Sequence, residues 1–315
     1  MSLAFIFPGQ GSQAVGMGKA LAEAFPQARS VFAEVDAALS QNLSGLMFDG
    51  PEAELTMTAN AQPALMAVSL AVVRVLQAEA GLDIARDAKF IAGHSLGEYS
   101  ALAAAGTFSI TDTARLLRIR GDAMQRAVPV GEGAMAALLG ADIALGREIA
   151  DAAAQGQVCQ VANDNGGGQV VVSGAKPAVE RAMEVAKSKG VKRAILLPVS
   201  APFHCALMQP AADAMADALD SVEMRAPCVP LVANVLAAPL TAADEIRKRL
   251  VEQVTGTVRW AESIAYMARE GVESFYELGS GKVLSGLVKR IAATATGTSV
   301  GQPADIAAFA ARPKS

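Results

Sequence analysis

Short apolar runs alternate with longer apolar or amphipathic stretches over the first 129 residues. Residues 3–7 and 89–92 are apolar runs that end at glycine-rich turns, which predicts two buried strands. Residues 63–80 are apolar at helical spacing and end at Gly81, which predicts a long buried helix. This alternation favours an α/β fold with a parallel sheet. Two more helices are predicted, over residues 98–105 and residues 111–128, the second capped by Thr111 or Asp112.

The middle of the chain has a different pattern, with short strands and two helices in the order β-α-β-β-α-β. This is the split βαβ order of a ferredoxin-like unit. We therefore predict an inserted ferredoxin-like subdomain over residues 130–198, which interrupts a main domain made of residues 1–129 and 199–315. The predicted elements are strands at 134–139, 158–162, 169–173 and 193–198, and helices at 141–155 and 177–190.

The α/β pattern resumes after the insertion. The segment from Thr294 onward is rich in small and polar residues, and we expect it to be a mobile tail. The elements predicted before that tail are strands at 229–233 and 274–278, and helices at 210–219, 242–253, 260–270 and 281–293.

Charge and cysteine usage narrow the class of protein. With 27 Lys and Arg against 31 Asp and Glu, the formal charge is −4, which gives no reason to expect nucleic-acid binding. Three cysteines are too few for a disulfide framework and indicate a reducing compartment. Two histidines and no CxxC pair make a metal site unexpected. The first apolar run stops at Pro8 and no run is long enough to span a membrane, so we expect a cytoplasmic protein.

The strongest candidate for chemistry is Gly93-His94-Ser95-Leu96-Gly97, which has the G-x-S-x-G form of a nucleophile elbow. A serine at a tight turn between a strand and a helix lies at the positive end of that helix, and the next amide, that of Leu96, points toward a developing oxyanion. The alternative is that Ser95 and Glu98 only form a helix capping box. The predicted strand before the segment and the helix after it favour the elbow, and with it an α/β-hydrolase-like main domain.

A serine hydroxyl needs a base, and the chain offers only two histidines. His94 is adjacent to Ser95, and neighbouring side chains at such a turn point in different directions, so His204 is the better candidate. Cys205 is a competing nucleophile, but a buried, inert thiol is the favoured interpretation. The sequence offers no obvious acid partner for His204, and we expect a backbone carbonyl or an amide to orient it.

Several segments together resemble the malonyl-CoA:acyl carrier protein transacylases and the acyltransferase domains of fatty acid and polyketide synthases. The similarity begins at Phe5-Ile6-Phe7-Pro8-Gly9-Gln10-Gly11-Ser12-Gln13 and includes the serine segment through Glu98. It runs in order from residue 4 to about residue 290, and the combination is specific although each match alone is weak. The other matching segments are Arg120-Gly121 with Met124-Gln125, Asn163 in a glycine-rich turn, residues 169–174, Pro202-Phe203-His204 and residues 277–284.

This resemblance implies a ping-pong transfer of malonyl from malonyl-CoA to the phosphopantetheine thiol of acyl carrier protein, for fatty acid or polyketide chain extension. Ser95 would carry the acyl group and His204 would be its base, with no cofactor or metal. Arg120 would bind the free malonyl carboxylate, since arginine pairs with carboxylates through two parallel hydrogen bonds; without the resemblance it would be a solvated helix charge. The other implied roles are an oxyanion hole at Gln10 and Leu96, substrate contacts from Asn163 and Met124, and orientation of the histidine near Gln253.

Phe203 resembles the bulky residue of malonyl-using members and would exclude an α-methyl branch, which favours malonyl over methylmalonyl. Many bacterial members have a smaller residue at this place. The site would lie in the cleft between the two domains, where basic residues would guide the acidic acyl carrier protein. The candidates are Lys282, Lys289 and Arg290. We expect a monomer with no nucleic-acid or membrane partner.

Two other classes of function stay open. A serine thioesterase or esterase of the α/β-hydrolase type would share Ser95, would need Asp or Glu on His204 and would not need Arg120. A non-enzymatic module that holds acyl carrier protein without turnover would keep its function when alanine replaces Ser95.

Overall fold

A computed structural model describes residues 2–312, which form two β-sheets covered by helices. The strands are β1 (Ser2–Phe7), β2 (Ala88–Gly93), β3 (Gly133–Leu139), β4 (Cys159–Gly166), β5 (Gln169–Ala175), β6 (Arg193–Leu196), β7 (Leu231–Ala233), β8 (Ala238–Leu240), β9 (Val272–Leu278) and β10 (Thr296–Val300). The α-helices are α1 (Lys19–Ala24), α2 (Pro26–Leu39), α3 (Leu43–Asp49), α4 (Glu52–Thr56), α5 (Thr58–Ala80), α6 (Ile84–Asp87), α7 (Gly97–Ala104), α8 (Ile110–Ala127), α9 (Ile143–Ala154), α10 (Lys176–Ser188), α11 (Gln209–Asp220), α12 (Ala243–Thr255), α13 (Trp260–Arg269), α14 (Val283–Ile291) and α15 (Pro303–Ala310).

The larger sheet has the strand order β10-β9-β1-β2-β7-β8, and every neighbouring pair is parallel except β7 with β8. Its central strands are apolar on both faces because helices cover both sides: Phe5 and Phe7 pack into one core cluster and Ala4 and Ile6 into another. The prediction of an α/β fold with a mainly parallel sheet is confirmed. The pairing of Phe7 with Gly93 places the turn after β1 beside the turn after β2.

The smaller sheet is antiparallel, with the order β4-β5-β3-β6. Along β3, Ala134, Ala136 and Leu138 pack into a separate core together with α9 and α10. The alternate residues Met135 and Ala137 belong to the main core. This period of two is the pattern of a sheet buried on both faces, one against its own helices and one against the rest of the chain.

A short backbone ladder joins the smaller sheet to the segment between α12 and α13. The Val258 amide donates to the Ala162 carbonyl, and the Asp164 amide donates to the Val258 carbonyl, both over 2.9 Å. The Thr257 hydroxyl donates to the Val161 carbonyl over 2.7 Å. Strand β4 is therefore fixed to the main unit by main-chain hydrogen bonds as well as by side-chain packing.

Helix α5 passes through the main core. It begins at Thr58 rather than at the predicted Pro63, because the amides of Asn60 and Ala61 already donate to the Met57 carbonyl. By length and composition it could also cross a membrane, but 83% of its most apolar 18-residue window is buried inside the fold. That burial is typical of the core helix of a globular unit.

Helix α8 begins at Ile110, one residue earlier than expected. Its cap is Ser109 and not Thr111 or Asp112. The Ser109 hydroxyl accepts a hydrogen bond from the backbone amide of Asp112 over 3.0 Å. The sequence pattern missed this cap because Ser109, Thr111 and Asp112 are all suitable capping residues.

The expectation of a mobile tail from Thr294 is wrong for the residues up to 312, and residues 313–315 lie outside the described residues. Strand β10 extends the main sheet in parallel with β9. On α15, Phe309 packs against Phe5 and Tyr276, with ring centroids 6.3 Å and 4.9 Å away. The small residues serve close packing: a Cβ at Gly297 would lie 2.3 Å from the Ser285 carbonyl oxygen.

Candidate active site

Ser95 stands on a tight turn between β2 and α7. Its φ of 54° lies in the left-handed region, which is uncommon for a residue with a side chain. A Cβ at Gly93 would lie 1.9 Å from the Gly97 carbonyl oxygen, and a Cβ at Gly97 would lie 2.3 Å from that of Phe7. The Ser95 amide donates to the Oδ1 atom of Asn234 over 2.8 Å. The turn therefore needs both glycines, and it is fixed by Asn234, which follows the neighbouring strand β7.

His204 contacts Ser95 in the folded chain. Its Nε2 atom lies 2.8 Å from the Ser95 Oγ atom, and its Nδ1 atom lies 2.8 Å from the Gln253 carbonyl oxygen. Because a carbonyl only accepts, Nδ1 carries the proton and Nε2 is free to accept the serine proton. The histidine partner is thus a backbone carbonyl, as expected from the sequence. Burial, aided by the positive charge of Arg120, lowers the pKa of His204 to about 3, so the imidazole is neutral at pH 7.

Arg120 extends from α8 into the same place and is only 1% exposed. Its Nη2 atom donates to the Ser95 Oγ atom over 3.1 Å and to Gln253 Oε1 over 2.9 Å, and its Nη1 atom donates to Gln62 Oε1 over 2.7 Å. The next residue, Gly121, allows α8 to cross α5 closely, since a Cβ there would lie 2.6 Å from the α5 backbone. Burial lowers the pKa of Arg120, although an arginine keeps its charge at neutral pH.

The two backbone amides predicted to form an oxyanion hole are those of Gln10 and Leu96. The Gln10 amide follows β1 and the Leu96 amide opens α7, on the two adjacent turns. Within residues 2–312, neither amide donates a hydrogen bond to a backbone or side-chain acceptor. Free amides at the positive end of a helix can stabilise an oxyanion. The Gln10 side chain is engaged elsewhere, because its Oε1 atom accepts the Thr58 hydroxyl over 3.0 Å.

The site opens into a cavity of about 500 Å³ between the two units. The main unit supplies the reactive groups, and Met135, Ala137 and Val171 of the insertion supply one wall. A cavity of this kind between two units commonly holds a small molecule. Leu96 and Gln253 are not among the residues that line it, and Gln253 contacts both Arg120 and His204. The predicted residues that line it are Gln10, Ser95, Arg120, Met124, Asn163, Phe203 and His204.

Asn163 reaches this cavity from a different element than expected. It lies within β4 rather than in the glycine-rich turn, which occupies residues 167–168 between β4 and β5. Its backbone bridges Val258, so its position is set by the ladder between the two units. Met124 is buried and its Sδ atom accepts a hydrogen bond from Gln62 Nε2 over 3.7 Å. Phe203, which directly precedes His204 in the chain, is 8% exposed and lines the cavity.

Sequence reasoning missed the structural roles of three polar residues, Gln62, Glu98 and Asn234. Gln62 holds the arginine, and Asn234 holds the serine turn. The Glu98 carboxyl accepts from the Asn234 amide over 3.2 Å and from the Gln253 side chain, and Ser95 makes no side-chain cap, so the capping-box alternative is wrong. A signal was available: Gln62 interrupts an apolar helix, and Asn234 directly follows a buried strand.

The other histidine and the competing thiol have other partners. His94 Nε2 lies 2.9 Å from Asn165 Oδ1, and its ring lies 5.6 Å from that of Trp260. The fully buried Cys205 thiol donates to the Pro202 carbonyl over 3.1 Å, and burial raises its pKa, which suits an unreactive thiol. Among residues 2–312, no three His, Cys, Asp or Glu side chains come together as a metal site.

The three basic docking candidates share one helix region. Lys282 directly precedes α14, and Lys289 and Arg290 lie in its last turn; all three are exposed. The apolar face of α14 borders the cavity through Val283, Leu284 and Leu287.

The chain matches a known family over nearly all of its length. Residues 4–301 match the acyl transferase domain, and the chain belongs to the acyl transferase family. The malonyl CoA-acyl carrier protein transacylase of Escherichia coli (strain K12) is 48% identical over 305 residues, 97% of each chain. The acyl-carrier-protein-S-malonyltransferase structure from Bartonella henselae is 60% identical, with a TM-score of 0.96 and 98% of both chains covered. A structure of a malonyl-transacylase with a type II PKS acyl-carrier protein is 43% identical, with a TM-score of 0.95, and covers 98% of this chain and 99% of that chain.

Proposed function

We propose that this protein transfers a malonyl group from malonyl-CoA to the phosphopantetheine thiol of acyl carrier protein through a malonyl-Ser95 intermediate. The transfer supplies fatty acid or polyketide chain extension. The names of the relatives support the reaction. The single observation that carries the substrate assignment is the buried Arg120 guanidinium, 3.1 Å from the Ser95 Oγ atom. A cation at that distance suits an acyl group whose far end is a carboxylate.

The first half-reaction loads the serine. His204 Nε2 accepts the Ser95 hydroxyl proton while Oγ attacks the thioester carbon. The oxyanion of the tetrahedral intermediate accepts hydrogen bonds from the amides of Gln10 and Leu96. The carbon–sulfur bond then breaks, His204 returns its proton to the leaving sulfur, and coenzyme A departs as a free thiol.

The second half-reaction unloads it. His204 accepts the proton of the phosphopantetheine thiol, and the sulfur attacks the ester carbon of malonyl-Ser95. The same two amides hold the oxyanion. The carbon–oxygen bond to Ser95 breaks, and His204 returns the proton to Oγ. The malonyl group thus passes from the thiol of coenzyme A to the thiol of phosphopantetheine without a cofactor or metal.

Substrate selection rests on two side chains of opposite character. The Arg120 guanidinium pairs with the malonyl carboxylate, and truncation of such a buried pair typically costs about 2–5 kcal/mol. Phe203 lines the cavity beside His204 and crowds the position of an α-methyl branch, a preference worth about 1–3 kcal/mol. Asn163 and Met124 form further substrate contacts on the cavity wall, and the Gln253 carbonyl keeps the histidine in place.

The fold supports a finer architectural assignment. The main unit, residues 1–129 and 199–315, is α/β-hydrolase-like, with its elbow serine after a parallel strand. The insertion, residues 130–198, is ferredoxin-like; the antiparallel order β4-β5-β3-β6 supports that assignment. The protein acts in the cytoplasm as a monomer, without nucleic-acid or membrane partners. Lys282, Lys289 and Arg290 guide the acidic carrier protein to the cavity.

A thioesterase or esterase is less well supported. The hypothesis of such a hydrolase needs a carboxylate that accepts from Nδ1 of His204, but the Gln253 carbonyl occupies that place. It also leaves the buried charge of Arg120 without a purpose. A non-enzymatic carrier-binding module leaves the serine–histidine contact without a purpose.

Intact-protein mass spectrometry tests the reaction. Wild type mixed with malonyl-CoA should gain one malonyl group, Ser95→Ala should gain none, and acetyl-CoA should label wild type much more slowly. Addition of holo-acyl carrier protein should move the malonyl group to the carrier, whereas apo-carrier, which lacks the thiol, should not. Rapid release of free malonate without an adduct would instead identify a hydrolase.

A further inference from the structure

The side chains that hold Arg120 are both uncharged. The guanidinium donates to the carboxamide oxygens of Gln62 and Gln253, and its third acceptor is the Ser95 hydroxyl. Among residues 2–312, Arg120 forms no ion pair with a carboxylate. Buried arginines are usually paired with an acid, because an isolated charge is costly to remove from water. The positive charge of Arg120 is therefore positioned but not neutralised.

The orientation of the Gln62 amide is fixed from behind. Gln62 is 1% exposed, and its Nε2 atom donates to the Thr58 hydroxyl over 3.0 Å and to the Met124 sulfur. The Thr58 hydroxyl in turn donates to Gln10 Oε1. Because the amide nitrogen is engaged on that side, the amide oxygen faces Arg120.

Within residues 2–312, Glu98 is the carboxyl that acts on the charge of Arg120, and it does not contact the guanidinium directly. The Glu98 carboxyl contacts the nitrogen of Gln253, while the oxygen of the same amide contacts Arg120. Gln253 thus separates the carboxyl from the guanidinium. Burial raises the pKa of Glu98 to about 8, so this acid adds little negative charge at neutral pH.

We propose that Gln62 is a specificity-determining residue: its neutral amide positions Arg120 while leaving the charge available for the carboxylate of the incoming acyl group. This inference rests on the proposed malonyl transfer. A carboxylate in place of the Gln62 amide would occupy the same 2.7 Å contact and form an internal ion pair. The substrate carboxylate would then lose its partner and meet a like charge, whereas a neutral acetyl group would meet neither.

The test compares the initial rates of malonyl and acetyl adduct formation in wild type, Gln62→Glu and Gln62→Met. In Gln62→Glu the malonyl-to-acetyl ratio should fall at least about 30-fold, with acetyl labelling within about threefold of wild type. In Gln62→Met, which removes the acceptor without adding charge, the ratio should fall only about 3- to 10-fold. Gln77→Glu is the matched control, since it adds the same charge on the same helix beside the Arg74 guanidinium at the surface, and it should match wild type.

A Gln62→Glu ratio within threefold of wild type, with the variant folded by circular dichroism, overturns the inference. Should Gln62→Glu not fold, Gln62→Met decides: the predicted loss of ratio supports the inference, and a ratio within twofold of wild type overturns it. The proposed function fails separately, because it requires a malonyl adduct on wild type whatever the Gln62 variants do.

Discussion

The Nε2 atom of His204 lies 2.8 Å from the Oγ atom of Ser95, across 109 positions of sequence. The fold closes this separation in two steps. Strand β2 delivers the serine to its turn, and the chain that leaves β6 at the end of the insertion delivers the histidine. The Ser95 Oγ atom also accepts a hydrogen bond from Arg120. The base and the positive charge therefore contact the same nucleophilic atom, and a separate substitution can remove each of them.

Removal of the base should nearly abolish acyl loading. His204→Ala should slow malonyl-adduct formation at least about 10³-fold, because the serine loses the proton acceptor that contacts its hydroxyl. His94→Ala should slow it less than about 10-fold, since His94 contacts Asn165 rather than the serine. Rapid-quench mass spectrometry measures both, and equal losses would show that the assignment of the base is wrong.

Removal of the charge should affect one substrate more than another. Arg120→Ala should lower kcat/KM for malonyl-CoA by about 10²- to 10³-fold and should lower acetyl transfer far less, because the malonyl group carries a free carboxylate and the acetyl group carries none. Arg118→Ala is the control on the same helix, since its guanidinium contacts Asn60 and Gln41 away from the cavity. A parallel loss for both acyl groups would mean that Arg120 only supports the fold.

Acyl loading of Ser95 should keep its full rate to unusually low pH. A base must be unprotonated to accept the serine proton, and burial beside Arg120 lowers the pKa of His204 from its ordinary value of 6.5 to about 3. The loading rate should therefore stay level as the pH falls from 8 to 5, where an unperturbed histidine would be largely protonated. Stopped assays of kcat/KM across this range measure it; a halving near pH 6.5 contradicts the role of burial.

The glycine before the elbow should tolerate no side chain. Gly93→Ala would place a Cβ 1.9 Å from the Gly97 carbonyl oxygen, so the turn must shift, at a cost of about 1–3 kcal/mol in unfolding free energy and with loss of loading. Gly286→Ala meets no atom within 4 Å on α14 and should be neutral or stabilising by up to about 1 kcal/mol. Thermal denaturation compares the two, and equal melting temperatures would refute the steric argument.

The sequence pattern predicted the buried parts of the fold better than its edges. Strands β1 and β2 are predictable because both faces are covered, which leaves an unbroken apolar run. Strand β10, Thr296–Val300, lies at the edge of the sheet, is partly exposed and consists mainly of small and polar residues. Its own residues do not predict a strand, and its pairing with β9 determines its conformation. The start of α5 was missed because Pro63 suggested a first turn, whereas five helical residues precede it.

The reactive pair of the site was predictable, but its supports were not. Ser95 belongs to a local motif, and His204 followed because the chain has only two histidines. Gln62 and Asn234 act through contacts with residues 58 and 139 positions away, Arg120 and Ser95. Nothing in a single sequence pairs such residues, since an isolated polar position in an apolar helix or after a strand has many uses.

The insertion supplies a wall of the cavity but none of the groups around the serine oxygen. Ser95, Arg120 and His204 all lie outside residues 133–196, which begin at β3 and end with β6. Exchanging that stretch between relatives would therefore be a modular graft: the recipient keeps its reaction chemistry and acquires the donor's cavity shape. Such a graft must keep main-chain pairing with Val258, so the breakpoints matter more than the identity of most transplanted side chains.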